Sequence, residues 1–210
     1  MGDIVIDLET LGTKPGCPII EIGACVINNR TGEITDNFSR RVGCGFTAAD
    51  LKDGGAVDAD MRRTVAWWLG DPRRAETFEA LLSGFGTTPG ARDALYEFHI
   101  WFESVTLGEE GVRLWANGPA FDITILRSAF DHHGMPLPWV CHSERCVRTG
   151  LEMANYERGS IGWVERGPRH RALNDARHEA RKLFYTGALG EVSAIMLRLR
   201  QRYDVKARQA

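Results

Sequence analysis

The spacing of hydrophobic and polar residues predicts strands at the start of the chain and mostly helices after them. Residues 3–10 include three consecutive β-branched residues, which predict a strand covered on both faces at the centre of a sheet. A second apolar run, at 18–27, predicts another central strand, and residues 34–42 alternate as an edge-side strand does. Because short turns separate these runs, we expect an antiparallel meander.

Helical spacing dominates from residue 57 onward. Apolar residues three or four positions apart predict helices over 57–70, 73–82, 91–105, 120–132, 146–156, 172–186 and 191–203. A short strand is expected at 113–116, and loops are expected at 43–55, 84–90, 134–140 and 158–169. This order predicts an α/β fold with a mixed sheet, in which a later strand joins the meander in parallel through a helical crossover.

Composition narrows the class of protein. The 210 residues suit one domain, expected over 1–205 with a frayed tail at 206–210. Charge is nearly balanced, with 26 basic and 28 acidic residues, so the chain does not have the basic excess of many nucleic-acid binders. No apolar stretch approaches the length of a membrane span, and the five scattered cysteines suit a reducing compartment. We therefore expect a cytoplasmic protein with no membrane partner.

Two acids at the end of the first strand are the first candidate for chemistry. Asp7 and Glu9 are two residues apart, so on a strand they point to the same side. Like charges at the end of a buried strand repel each other unless a cation lies between them, and hard divalent ions suit carboxylate oxygens. The alternative is a solvated strand end whose acids pair with nearby lysine or arginine.

Two later segments carry further candidates. Asp122 lies in the first turn of a predicted helix directly after the short strand, where the helix dipole favours a negative charge. Asp175 lies about one turn inside another predicted helix, with His170 in the loop before it. Taken singly, Asp122 reads as an ordinary first-turn acid and His170 as a surface or capping histidine.

Taken together, these residues follow the order of three motifs in a known nuclease group. Asp7-Leu8-Glu9-Thr10 resembles the first motif of the DEDDh 3′–5′ exonucleases, Phe121-Asp122 the second, and His170 with Asp175 the third. The resemblance runs from about residue 4 to residue 185. The strings at 6–13 and 18–24 and the sequence Trp67-Trp68-Leu69 look most similar to exodeoxyribonuclease VIII-type and RNase AS-like members.

The resemblance implies a fold, a reaction and a set of site residues. It implies an RNase H-like fold and release of nucleoside 5′-monophosphates from a nucleic acid with a free 3′ end, either single-stranded DNA or RNA. Two divalent cations, Mg²⁺ or Mn²⁺, would be held by four acids, Asp7, Glu9, Asp122 and Asp175. His170 would act as general base, and a homodimer is possible by the same resemblance.

Substrate contacts are a separate set of expectations. By resemblance, the terminal nucleotide packs where Leu11 and Gly12 follow the first motif. In the loop before His170, Trp163 is a candidate for stacking on a base, and Arg169 is a candidate for attracting phosphates, although a solvated basic loop explains the arginine equally well. Trp67 and Trp68 are adjacent and cannot both face the core side of a helix, so one of them is a candidate for contact with substrate or a partner subunit, although core packing is the simpler use of each.

Two other functions fit the same residues. One is a module of this fold that holds nucleic-acid ends without cleaving them, although the four acids and the histidine are all present. The other is a metal-dependent hydrolase that acts on small nucleotides.

Overall fold

The computed structural model describes residues 2–55, 58–84, 86–109, 111–156 and 167–190. Within these residues, five strands form one mixed sheet in the order β3-β2-β1-β4-β5. β1 is antiparallel to β2, β2 is antiparallel to β3, and β1 and β4 run parallel. The strands are β1 (Gly2–Thr10), β2 (Ile19–Asn28), β3 (Ile34–Arg41), β4 (Leu114–Ala116) and β5 (Glu144–Cys146). The predicted antiparallel meander with a later parallel strand is confirmed.

The helices of the described residues cover both faces and one end of the sheet. They are α1 (Ala48–Lys52), α2 (Ala59–Leu69), α3 (Pro72–Leu82), α4 (Ala91–Thr106), α5 (Asp122–His132), α6 (Val147–Met153) and α7 (Ala172–Tyr185), with a 3₁₀ turn at Cys141–Ser143. None of them combines the length and apolar character needed to cross a bilayer. The helix predicted over 191–203, the tail at 206–210 and most of the loop predicted at 158–169 lie outside the described residues.

Two short elements differ from the sequence predictions. The predicted loop at 43–55 contains α1, which starts at a capping box in which Thr47 and Asp50 each accept a hydrogen bond from the other's backbone N–H. The predicted helix at 146–156 begins one residue late, because Cys146 belongs to β5. β5 was missed because three residues paired only to β4 carry no apolar pattern of their own.

β1 lies at the centre of the sheet, and its side chains alternate between two cores. Ile4, Ile6 and Leu8 are buried against α4 and α5. Val5 points to the other face, where it packs in a cluster with residues of α6 and α7. Because alternate residues share a face, Asp7 and Glu9 continue the row of Val5 toward the α7 side.

A third cluster closes the end of the sheet at which β1 finishes. Leu11 and Ile20 are fully buried there against α1, α2 and α3, with Trp68 and Phe78 at the centre. Burying each large side chain contributes roughly 1.5–3 kcal/mol, so this cluster holds the three helices firmly against the strand end. Trp68 also donates a hydrogen bond from Nε1 to the carbonyl of Thr10 at 3.2 Å. The helices therefore form a wall beside the two acids of β1.

Candidate active site

The two acids of β1 pair with a glycine and a third acid on β2. Asp7 pairs with Gly23 and Glu9 pairs with Glu21 across the antiparallel ladder. Glu9 and Glu21 are buried, and Asp7 is half-buried. Three carboxylates are thus concentrated at one end of the sheet, beside the start of α7.

Glu21 fixes the start of α7. Its Oε2 accepts a hydrogen bond from the backbone N–H of Ala172 at 2.8 Å, and its Oε1 accepts one from Nη2 of Arg171 at 2.8 Å. The Glu21 side chain is 1% exposed, so its charge depends on these partners. The clamp holds the turn that precedes α7 over the strand end.

His170 lies in that turn in a left-handed backbone conformation, with φ of +60°. Its backbone N–H donates to Oδ2 of Asp175 at 2.9 Å. Its ring meets Trp67 and Trp68 edge-to-face, with centroid distances of 5.2 and 5.8 Å. Two indoles therefore contact the imidazole, and the Asp175 carboxylate fixes the backbone that carries it.

The turn and α7 place two more groups against Glu9. One potential ligand atom from each of Glu9, His170 and Asp175 lies within 4.8 Å of the others. These residues are far apart in the chain and meet only through the packing of α7 on the sheet. Such a group of oxygen and nitrogen donors is able to bind a divalent cation.

Asp122 reaches the same place from the opposite side of β1. It is the first residue of α5, is 4% exposed, and accepts a hydrogen bond at Oδ1 from the backbone N–H of Leu8 at 3.2 Å. The short parallel strand β4 delivers this helix to the end of β1. Asp122 therefore lies beside Asp7 and Glu9 although more than a hundred residues separate them in sequence.

All five predicted chemical residues line one cavity of about 520 Å³. They are Asp7, Glu9, Asp122, His170 and Asp175. Arg63 and Arg148 also border the cavity, but the side chain of each is exposed. The alternative of a solvated strand end does not describe this arrangement, because the acids from three segments face one another in a concave site.

Burial raises the pKa values of three of these acids, and neighbouring carboxylates add to the effect at Asp7 and Glu9. Burial, followed by the charge of Asp122, raises the pKa of Asp7 well above its usual range. Burial and then the charge of Asp175 do the same for Glu9. Burial raises the pKa of Asp122 to about 6, against the opposing effect of the hydrogen bond from Leu8. Such strain is relieved by a bound cation, since positive charge favours the ionised carboxylates.

The predicted substrate contacts are divided by the structure. Gly12 lines the cavity, whereas the side chain of Leu11 is fully buried in the core beneath it and is not available to a nucleotide. Arg169 is exposed and lines a neighbouring groove rather than the acidic cavity. Trp163 lies outside the described residues.

The two consecutive tryptophans have different environments. Trp68 is 1% exposed, as core packing predicts. Trp67 is 45% exposed and lines the cavity, so core packing was the wrong expectation for this side chain. Asn117, which stands five residues before Asp122, also lines the cavity.

Two contributors to the site were not identified from the sequence. Glu21 was taken as part of an apolar strand and of the string at 18–24, with no role of its own. Asp60 accepts hydrogen bonds from the backbone N–H and the hydroxyl of Thr13, at 2.6 and 2.7 Å, and so ties the segment after β1 to α2. Neither contact could be found from local spacing, because their partners are 151 and 47 residues away.

Comparison with known proteins places this site in context. Residues 2–186 match the family described as the 3′–5′ exoribonuclease Rv2179c-like domain. The comparison with curated proteins returned no match.

Three solved structures share the fold. The nuclease domain of 3'hExo, a DEDDh family member, bound to rAMP, is 16% identical, with a TM-score of 0.54 over 90% of this chain and 94% of that one. Exonuclease X in complex with 5′ overhanging duplex DNA is 17% identical, with a TM-score of 0.52 over 90% and 98%. Exonuclease I is 12% identical, with a TM-score of 0.58 over 98% of this chain but 45% of that one. The predicted RNase H-like exonuclease fold is confirmed.

Proposed function

The chain belongs to the 3′–5′ exoribonuclease Rv2179c-like domain family, within the DEDDh 3′–5′ exonucleases, and from this premise we propose that it removes nucleoside 5′-monophosphates one at a time from the free 3′ end of single-stranded RNA. The family makes the protein a 3′–5′ exonuclease. The family description supports RNA as the substrate. The observation that carries the proposed chemistry is the meeting of Asp7, Glu9, Asp122, Asp175 and His170 on one cavity.

The four acids fit two divalent cations. Their carboxylate oxygens are the hard donors that Mg²⁺ and Mn²⁺ prefer. Burial raises the pKa values of Asp7, Glu9 and Asp122, and repulsion from neighbouring acids raises those of Asp7 and Glu9 further, which is the condition that bound positive charge relieves. We assign cation binding to Asp7, Glu9, Asp122 and Asp175. When bound, two such ions supply Lewis-acid stabilisation of the negative charge on the attacking and departing oxygens.

His170 is assigned as the general base. An imidazole accepts a proton at neutral pH, and this one is fixed at the cavity by its backbone bond to Asp175 and by its contacts with two indoles. It takes the proton of the attacking water as the water oxygen bonds to the last bridging phosphorus. The bond from phosphorus to the 3′ oxygen of the preceding nucleotide breaks, and that oxygen leaves with the bonding electron pair and takes a proton from solvent. The products are a nucleoside 5′-monophosphate and a strand with a new 3′ hydroxyl.

The terminal nucleotide is assigned to the same cavity. A volume of about 520 Å³ falls within the usual range for small-ligand sites. The exposed indole of Trp67 offers an aromatic surface on which a base can stack. Gly12 lets the segment after β1 pack against Cys17 and Asp60, which a Cβ there would meet at 2.6 and 2.8 Å. The tie between Asp60 and Thr13 holds the Gly12 segment in place.

Digestion of labelled oligonucleotides tests this function. Matched RNA and DNA strands carry a 5′ label and either a free or a phosphate-blocked 3′ end, and are incubated with Mg²⁺ or with EDTA. We expect a ladder shortening from the 3′ end and release of 5′-monophosphates, only with a free 3′ hydroxyl and Mg²⁺, and faster on RNA. Internal cleavage, or equal digestion of blocked strands, would refute the assignment. Hydrolysis of free nucleotides alone would support the small-nucleotide alternative.

A further inference from the structure

A second concavity of about 790 Å³ adjoins the acidic cavity. It lies between the first half of α3 and residues 167–171, and His170 borders both spaces. Of the described residues, four arginines line it, namely Arg73, Arg74, Arg169 and Arg171. We refer to this space as the arginine groove.

The groove has the opposite charge to the cavity beside it. Among the residues that the structure describes, the acids that line it are Asp71 and Glu76. Asp71 caps α3, accepting hydrogen bonds from the backbone N–H groups of Arg73 and Arg74 at 3.0 and 3.1 Å, so part of its charge is already offset by the helix. Positive charge therefore predominates along the groove.

The four guanidinium groups are not equivalent. That of Arg171 is held by Glu21. That of Arg74 lies over the ring of Trp67, 4.3 Å from its centroid. Arg73, on α3, and Arg169, on the segment before His170, are exposed and face the groove from its two walls. These two arginines are the ones most accessible to a ligand.

One pair of aromatic contacts joins the two spaces. Trp67 lines the acidic cavity, and its ring is edge-to-face with His170 and stacked under Arg74 of the groove. His170 lines both spaces, so a strand whose last phosphodiester is attacked at His170 lies next to the entrance of the groove. Arginine suits the phosphates of such a strand, since its planar fork can donate two hydrogen bonds to one phosphate.

We propose that the arginine groove binds the phosphodiester backbone on the 5′ side of the scissile bond, which makes longer RNA strands better substrates than dinucleotides. This inference rests on the proposed function, because it places the scissile phosphate at the acidic cavity. Arg63 and Arg148 border the acidic cavity itself, and the arginine groove adds four further arginines on the other side of His170. Upstream phosphates that leave the cavity past His170 therefore meet a concentration of positive charge.

The test replaces the two exposed arginines, as Arg73→Gln with Arg169→Gln, and compares an RNA dinucleotide with an RNA decanucleotide. We expect kcat/KM on the decanucleotide to fall at least tenfold. The slope of log(kcat/KM) against log salt concentration should also become shallower, by about one to one and a half, because two phosphate contacts on a single strand are lost. On the dinucleotide the change should be less than twofold. Arg30→Gln is the control, because Arg30 is an exposed arginine in the turn after β2, at the opposite end of that strand from Glu21. It should leave both substrates unaffected.

A binding measurement separates this inference from the proposed function. The affinity for a labelled decanucleotide is measured in EDTA, where no turnover is expected, for the wild type, the double variant and the Arg30→Gln control. If the double variant binds more weakly and the Arg30→Gln control does not, the result supports phosphate binding in the groove. This holds even if the wild type fails to cleave RNA and the proposed function is refuted. Equal loss of kcat/KM on both substrates, or unchanged kcat/KM and binding, overturns the groove.

Discussion

Gly23 lies directly against the first turn of α7, so that a Cβ built on it would stand 2.1 Å from the backbone nitrogen of Leu173. Gly23 is the β2 partner of Asp7, so this contact sets how closely α7 approaches the acids of β1. Gly23→Ala must push the helix away, and with it His170 and Asp175. We expect the free energy of unfolding to fall by about 1–3 kcal/mol, the usual cost of overpacking. We expect kcat to fall by a larger fraction than the free energy of unfolding does, because His170 and Asp175 move with the helix. Thermal unfolding and steady-state kinetics measure the two effects.

Gly90→Ala is the matched control for that substitution. Nothing lies within 4 Å of a Cβ built on Gly90, and its φ of −64° suits any residue. It should leave kcat unchanged. Equal kinetics for the Gly23 and Gly90 variants would show that the spacing of α7 does not matter for the site.

Glu21→Gln tests the clamp on the turn before α7. The amide keeps an acceptor for Ala172 but loses the charge that pairs with Arg171. We expect kcat to fall about 10- to 100-fold, as is typical when groups that orient metal ligands are changed. The exposed Glu33→Gln is the control and should behave as wild type. A Glu21→Gln enzyme with wild-type kcat would exclude this positioning role.

Asp122→Asn tests the electrostatic strain of the metal-free site. Burial raises the pKa of Asp122 to about 6 in the folded protein, from 3.8 in the unfolded chain. The buried charge therefore lowers the free energy of unfolding by its full amount above pH 6, and this cost disappears as the pH falls toward 4. The metal-free variant should be more stable than wild type at pH 7.5, by up to about 3 kcal/mol, and the difference should shrink at pH 4.5. Asparagine retains an acceptor for the Leu8 N–H.

The measurement is denaturant unfolding at both pH values, with and without Mn²⁺. Mn²⁺ should reverse the order by stabilising the wild type more than the variant. A metal-free variant that is less stable than wild type at pH 7.5 would show that the charge of Asp122 does not destabilise the metal-free protein.

His170→Ala separates the base from the metal site. Loss of a general base costs about 10²–10⁴-fold in rate, so kcat should fall by at least the lower figure while Mn²⁺ affinity changes little. His132→Ala, at an exposed position of α5, is the control. Isothermal titration with Mn²⁺ and single-turnover kinetics give both quantities. A parallel loss of Mn²⁺ affinity would make His170 a metal ligand, which its place beside Glu9 and Asp175 also permits.

Local sequence patterns accounted for the long elements of the fold. β1 and β2 carry long apolar runs, and α4 has apolar residues in helical phase, so each was found with its ends nearly correct. β3 was also found, although Phe38 is its one buried residue. β5 was not found, because a three-residue edge strand is specified by pairing with β4 rather than by its own residues. α1 was missed because its Gly- and Ala-rich surroundings concealed the capping pair of Thr47 and Asp50.

The candidate site was predictable only where chemistry shows in short motifs. The spacing of Asp7 and Glu9 and the order of the later motifs indicated the acids and the histidine, and the structure brings these residues to one cavity. Their catalytic and metal-binding roles stay predictions. The clamp by Glu21 and the close contact at Gly23 could not be predicted, because each depends on a helix about 150 residues further along the chain.

The most direct test of the central claim is to locate the cations themselves. A crystal of the wild-type protein grown at pH 7.5 with Mn²⁺ and a nucleoside 5′-monophosphate would be examined by anomalous scattering at the manganese absorption edge. The account predicts two manganese peaks in the acidic cavity, coordinated among them by Asp7, Glu9, Asp122 and Asp175. Well-ordered side chains with no manganese in that cavity, or manganese bound only elsewhere, would contradict it.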